Sequence, residues 1–157
     1  NITIQKAVEL GVSRFVPCKT EYSNFEKLNY KNLELNAIEA SQQCERLDVP
    51  KIEKIIDFKS LLDGFPSDRA LVFCDESDPS LPSIYEEVKS QVSNYSKWAV
   101  IIGPEGGFSE QEKNQLINEE NVLRVTLGKR ILRSDTAAIS SLFCIQSLVD
   151  KRHPVLK

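Results

Sequence analysis

Methionine is absent from the 157-residue sequence, which starts at Asn1. That absence suggests a fragment of a longer protein, whose true N-terminus is then missing. Histidine occurs once, as His153 near the C-terminus, and the four cysteines, Cys18, Cys44, Cys74 and Cys144, form no C-x-x-C pair. A zinc site needs clustered ligands, so no metal is expected. Cys44, Cys74 and Cys144 fall in apolar or helical patterns, which fits buried free thiols in a reducing cytoplasm. No apolar run approaches the roughly 20 residues of a membrane helix, and no secretory leader is visible, so a soluble cytoplasmic protein is expected. A basic excess is missing too. Net charge is −3 and the pI is about 5.3, which argues against broad nucleic-acid affinity. The average conceals one basic cluster, Arg124, Lys129, Arg130 and Arg133.

What is present suits one globular domain. Hydrophobic residues are 41% and charged residues 27%, an ordinary balance for a chain that buries a core. The spacing predicts helices over 4–10, 32–47, 58–62, 84–92, 109–118 and 135–149. The 32–47 segment is the clearest: Leu33, Ala37, Ala40, Cys44 and Leu47 recur three and four residues apart. Gly11 suits the position after a helix end, Ser109-x-x-Glu112 is a capping box, and Ser134 or Asp135 suits an N-cap. Strands are predicted at 14–17, 51–57, 70–74, 99–102 and 122–127, with 19–30 as loop. Ala70 to Cys74 and Ala99 to Ile102 are apolar without polar alternation. Strands of that kind, separated by helices, predict an α/β fold with a parallel sheet covered on both faces.

Ligands of open parallel sheets bind beyond the carboxyl ends of the strands. Two loops stand there. The first, Gly103-Pro104-Glu105-Gly106-Gly107, is neither G-x-G-x-x-G nor a P-loop, since no Gly-Lys-Ser/Thr follows. Its glycines either let backbone approach a flat ligand or allow positive φ, or else form a tight connection that binds nothing. The second runs from Gly128 to Arg133. Ile131 and Leu132 sit between Arg130 and Arg133, which a solvated basic loop does not need. Apolar residues there suit either a pocket with a charged mouth or a plug into the core. Glu105 stands as a base, a substrate-orienting group or a solvated side chain. Glu39 and Glu45 read as solvent-facing, and Asp75-Glu76 as a polar turn that could line the same edge.

Several stretches together resemble one family. These are Gln5 to Val12 (QKAVELGV), Pro17 to Ser23 (PCKTEYS), Glu39 to Gln43 with Arg46 and Val49-Pro50, Ile102 to Ser109 (IGPEGGFS) with Glu112, and Leu127 to Ala137 (LGKRILRSDTA). They are similar to the RsmE-type ribosomal RNA uridine-N3 methyltransferases of the SPOUT superfamily, from about Ile4 to Ser147. Two positions depart: Tyr22 stands where the family usually has Arg, and Asp135 where it usually has Glu.

The resemblance implies a SPOUT-type parallel sheet flanked by helices, with a C-terminal trefoil knot, over residues 1–157. An N-terminal β-barrel RNA-binding domain would precede it in the whole protein, and without that domain RNA methylation is expected to be poor. It implies a homodimer and S-adenosylmethionine as cofactor, held by Ile102, Gly103, Pro104, Glu105, Gly106, Gly107, Leu127, Gly128, Ile131 and Leu132. Lys129, Arg130 and Arg133 would meet small-subunit ribosomal RNA. Arg133 would stabilise the substrate, and Glu105 would remove the N3 proton. Three other readings stay open: a SPOUT enzyme acting on transfer RNA, an RNA-binding module without chemistry, and a nucleotide-binding enzyme using GPEGG as a phosphate cradle.

Overall fold

A computed structural model describes residues 2–24 and 28–149; Asn1 and His153 lie outside the described residues. The element order is α1 (Ile2–Glu9), β1 (Arg14–Phe15), β2 (Cys18–Lys19), α2 (Tyr30–Gln43), β3 (Lys51–Ile52), β4 (Ile56–Asp57), α3 (Phe58–Asp63), β5 (Arg69–Cys74), α4 (Ile84–Gln91), β6 (Lys97–Ile101), α5 (Glu110–Asn118), β7 (Val122–Val125) and α6 (Ser134–Val149). All strand pairings are parallel, as the unalternated strands predict. They form three sheets among the described residues rather than one: β1 with β3, β2 with β4, and the three-stranded order β6-β5-β7.

Strand β5 shows why its sequence is apolar throughout. Leu71 and Phe73 join a core with Phe58 and Leu62 of α3, Leu116 of α5, and Phe108. The intervening Val72 faces the other way, into a core with Ile84 and Val88 of α4 and Ile145 of α6. A strand buried on both faces has no side free for polar residues.

A smaller core joins the first helices, with Val8 of α1 against Ala37 and Ala40 of α2. Helix α2 is shorter than its apolar spacing suggests. It ends at Gln43, and Leu47 is fully exposed instead of extending the apolar face. Glu45 takes φ 59°, a left-handed turn that a non-glycine residue adopts only at some cost. The turn delivers Arg46, whose Nη1 donates to the carbonyls of Val8 at 2.8 Å and Val12 at 2.9 Å. Arg46 thereby bridges the last turn of α1 and the chain that leaves it, with Gly11 at φ 83° between the two carbonyls.

Two more local features differ from the sequence reading. The 19–30 loop contains half of strand β2, and 51–57 is two strands of two residues each. Pairings this short carry no periodicity of their own; Cys18 and Lys19 are set by Ile56 and Asp57 across the ladder.

Candidate functional site

The parallel order β6-β5-β7 places the carboxyl ends of all three strands along one edge. The GPEGG loop leaves β6, Asp75-Glu76 leave β5, and the LGKRILR loop follows β7. Both predicted loops therefore lie where a ligand of such a sheet binds, with the end of β5 between them.

Below the first loop, Ser109 caps α5 in a complete capping box: its side chain accepts from the N–H of Glu112, and Glu112 reaches back to the N–H of Ser109. The turn itself closes through the Gly107 N–H donating to the Pro104 carbonyl at 2.8 Å. The three glycines serve different ends. A Cβ at Gly103 would lie 3.0 Å from the Phe108 ring, and a Cβ at Gly106 would lie 3.0 Å from Tyr22 Cβ. Gly107 has φ 71° and open space around it. Of the three, only Gly107 thus has both a left-handed backbone and free room; Gly103 and Gly106 are required by neighbouring aromatic residues. Ile102 and Pro104 are half-buried, while Glu105 is exposed.

The second loop bounds a cleft lined by Cys74, Asp75, Glu76, Thr126, Leu127, Gly128, Arg130, Leu132 and Ala137. Gly128 has φ 116°, and its N–H donates to Thr126 Oγ1 at 3.2 Å. Ile131 is 80% exposed, so it plugs no core, and Leu132 is half-buried at the cleft. Lys129, Arg130 and Arg133 are all exposed. The structure brings Leu127, Gly128, Arg130 and Leu132 together in this cleft. Residues 102–107 share the sheet edge but do not line it.

Arg124 leaves the basic cluster. Its guanidinium donates to Asp75 Oδ2 from Nη2 at 2.6 Å and from Nε at 3.2 Å. Ser77 adds a hydroxyl bond to Asp75 Oδ1 at 2.6 Å. Burial pushes the Asp75 carboxyl up, but the Ser77 and Arg124 hydrogen bonds outweigh it and hold the carboxyl below its ordinary value. Asp75 is therefore both the polar turn and a cleft wall, fixed as a carboxylate.

Nor does Ser134 or Asp135 cap α6. The helix begins at Ser134, and the Arg133 carbonyl accepts from the Ala137 N–H at 2.8 Å. The Asp135 carboxylate instead accepts from its neighbour, the Thr136 N–H, at 2.8 Å. Arg133 therefore sits at the positive end of a 16-residue helix, where a cation is disfavoured and an anion is attracted.

All four cysteines are free. Burial pushes the Cys74 thiol up to about 11, although its bond with Ser141 pulls the other way. Cys18 is also raised to about 11, first by burial and then by Glu112 and Asp57. Neither is a nucleophilic thiolate near neutral pH. Among the described residues no group of His, Cys, Asp and Glu could hold a metal ion, and no helix is long and apolar enough to cross a membrane.

Sequence reasoning missed two features of the site. Thr126, next to the second loop, lines the cleft and also pairs with Ser83 in a parallel bridge. Glu112 accepts a second N–H at Oε1, from Glu21, at 2.8 Å. The capping-box motif gave the first bond of that carboxylate, but no local pattern announces a partner 91 positions away.

Known proteins resemble this chain in sequence and in fold. A model described as "RNA methyltransferase domain" matches residues 1–146. Ribosomal RNA small subunit methyltransferase E of Rickettsia conorii is 33% identical over 147 residues, covering 94% of this chain and 59% of that protein. The Bacillus subtilis protein of the same name is 32% identical over 151 residues, covering 90% and 58%. Ribosomal RNA small subunit methyltransferase E of Neisseria gonorrhoeae, solved bound to S-adenosyl methionine, superposes with a TM-score of 0.73 at 33% identity, covering 93% of this chain and 59% of that one. The chain thus spans somewhat under two thirds of the length of the relatives it matches.

Proposed function

The chain belongs to the RNA methyltransferase domain family, and from that premise we propose that it carries the S-adenosylmethionine-dependent methylation of uridine N3 in small-subunit ribosomal RNA. The observation that carries this reading is the cleft at the carboxyl edge, where Leu127, Gly128 and Leu132 meet Asp75 and Glu76.

These residues fit the cofactor's chemistry. The half-buried Leu127 and Leu132 offer apolar cover to an adenine ring. The left-handed Gly128 leaves backbone polar groups unshielded by a side chain. The exposed carboxylate of Glu76 suits a ligand carrying positive charge. Gly107 and its open surroundings, on the neighbouring loop, offer the same kind of backbone access. Ile102, Gly103, Pro104, Glu105, Gly106 and Ile131 complete the proposed cofactor contacts. When bound, S-adenosylmethionine supplies an electrophilic methyl group.

The protein's own part concerns the uridine. N3 carries a proton at neutral pH and is a poor nucleophile until that proton leaves. Arg133, exposed at the N-terminus of α6, stabilises the anionic base or its flanking phosphate. Glu105, exposed on the turn after β6, accepts the N3 proton. Lys129 and Arg130 hold the phosphate backbone as point charges. Much of the rate comes from fixing N3 in line with the methyl group.

The same reading makes the domain a homodimer with a trefoil knot in its C-terminal part. The cleft of one chain encloses only about 50 Å³, against the roughly 300–1,000 Å³ of small-molecule sites. That shortfall supports a site completed by a second copy. A preceding RNA-binding domain and a cytoplasmic location belong to this reading as well.

Nucleoside mass spectrometry of small-subunit ribosomal RNA from a deletion strain tests it. The 3-methyluridine signal should vanish and return with the wild-type gene. Arg133→Ala should bind S-adenosylmethionine in calorimetry yet restore no signal. A deletion strain with intact 3-methyluridine refutes the substrate assignment, and transfer by Arg133→Ala refutes the role of Arg133.

A further inference from the structure

We propose that the turn Thr20–Ser23 is a wall of the RNA site, and that Tyr22 is the platform on which it stacks a base of the substrate. The inference rests on the methyltransferase reading above and adds to it a substrate-binding residue.

The turn is rigid for its size. The Ser23 N–H donates to the Thr20 carbonyl at 3.2 Å. Ser23 Oγ accepts from the Thr20 N–H at 3.0 Å and donates to the Thr20 carbonyl at 2.7 Å. Glu112 then fastens the turn to the other half of the molecule. Its side chain is buried, with Oε1 accepting from the Glu21 N–H at 2.8 Å and Oε2 from the Ser109 N–H at 2.9 Å. One carboxylate therefore ties the turn to the residue that caps α5, just past the glycine loop. Charged acceptors make the stronger hydrogen bonds, so the tie is firm.

Its effect is to seat Tyr22 on the glycine loop. Tyr22 Cβ lies 3.0 Å from where a Cβ of Gly106 would be, a contact that only glycine permits without displacement. Yet the tyrosine is 53% exposed. An aromatic residue with a fixed backbone and an open ring, at the edge of a sheet where the substrate must arrive, does no work for the core. Unpaired RNA bases are recognised by stacking on such rings. Net charge supplies a second reason. With 23 acidic against 20 basic residues the chain carries no cationic excess to draw in phosphates, which leaves more of the affinity to stacking.

The test uses the full-length protein, with Tyr22→Phe, Tyr22→Ala and Glu112→Gln. Steady-state methylation gives kcat and KM for small-subunit ribosomal RNA, and calorimetry gives the Kd for S-adenosylmethionine. Tyr22→Ala should raise the RNA KM roughly tenfold or more, with kcat and the cofactor Kd within about twofold. Tyr22→Phe keeps the ring face and should match wild type. Glu112→Gln should raise the RNA KM, and combining it with Tyr22→Ala should add little, because both act on one ring. An unchanged RNA KM for Tyr22→Ala in an active protein overturns the inference alone. A Tyr22→Phe defect as large as that of alanine also overturns it, since the hydroxyl would then matter. Loss of the dimer in Tyr22→Ala by sedimentation overturns it in favour of a protein contact. A wild-type protein that neither binds S-adenosylmethionine nor methylates RNA overturns the methyltransferase reading, and this inference with it.

Discussion

Alanine at position 103 places a methyl group 3.0 Å from Phe108 Cε2 and 3.3 Å from Cδ2. The ring has nowhere to go. Phe108 is 8% exposed, stands edge-on to Phe73 at 5.5 Å between centroids, and tilts against Phe58 at 5.9 Å. Adding a methyl group to a filled core costs about 1–3 kcal/mol. Part is offset, because alanine restricts the unfolded chain and stabilises by ~0.4–1 kcal/mol wherever the backbone accepts it. Gly103 is not among the glycines with positive φ, so that offset applies. The net effect is a loss of roughly 1–2 kcal/mol. With a urea slope of about 2 kcal/mol/M, in the middle of the usual range, the unfolding midpoint should fall by roughly half to one molar. Phe108→Leu removes the ring edge that meets the new methyl. In that background Gly103→Ala should cost almost nothing, giving a coupling of about 1–2 kcal/mol in the double-mutant cycle. An unchanged or raised midpoint for Gly103→Ala, or an undiminished penalty in the Phe108→Leu background, refutes the reasoning. Position 103 would then be glycine for its ligand rather than for Phe108.

Arg124→Ala should destabilise by about 2–3 kcal/mol at pH 7, because it strips a charged partner from the buried Asp75 carboxylate. The Asp75 carboxyl titrates below its ordinary value in the fold, so its contribution is complete above the unfolded-state value near ~4 and fades as pH falls through the lower folded value. The gap in thermal midpoint between wild type and Arg124→Ala should therefore narrow below about pH 4, and an unchanged gap refutes the pairing. Cys18 and Cys74 both have thiols raised to about 11, so iodoacetamide at pH 8 should label each far more slowly than in unfolded protein. Only Cys74 lines the cleft; S-adenosylhomocysteine should slow its labelling further in peptide mass spectrometry and leave Cys18 alone. Equal protection of both, or of neither, refutes the placement of the ligand.

Where burial repeats with the period of the backbone, the sequence was legible. Leu33, Ala37 and Ala40 mark the buried face of α2, and the apolar run through β5 marks a strand between two cores. Ser109 and Glu112 mark the start of α5, because a capping box lies within four residues. Leu47 continues the period of α2 but not its structure, since Glu45 turns left-handed to deliver Arg46 to the carbonyls of Val8 and Val12. The partners of Glu112 and Arg124 were not legible for a related reason. Each is chosen by the fold and not by spacing: Glu21 and Asp75 reach them from far along the chain. The glycines of GPEGG were readable as glycines needed for something. That two of the three answer to Phe108 and Tyr22 is a fact of packing alone.

The strand pairings carry a kinetic consequence. Arg14 pairs with Lys51, Cys18 with Ile56, Arg69 with Lys97 and Leu71 with Val122, and none of the named strands forms a hairpin with its successor. Every ladder bond must wait for a long loop to close, and the entropy of that closure is lost before any pairing repays it. Such a chain folds late and slowly, with helices forming ahead of the sheets they cover. Strand β5 belongs to both ladders of its sheet, so until it is in place neither β6 nor β7 has a partner. The nascent chain therefore spends its most vulnerable interval with the apolar Ala70-Leu71-Val72-Phe73 segment uncovered, and its yield in a cell depends on how quickly Lys97–Ile101 and Val122–Val125 emerge to flank it.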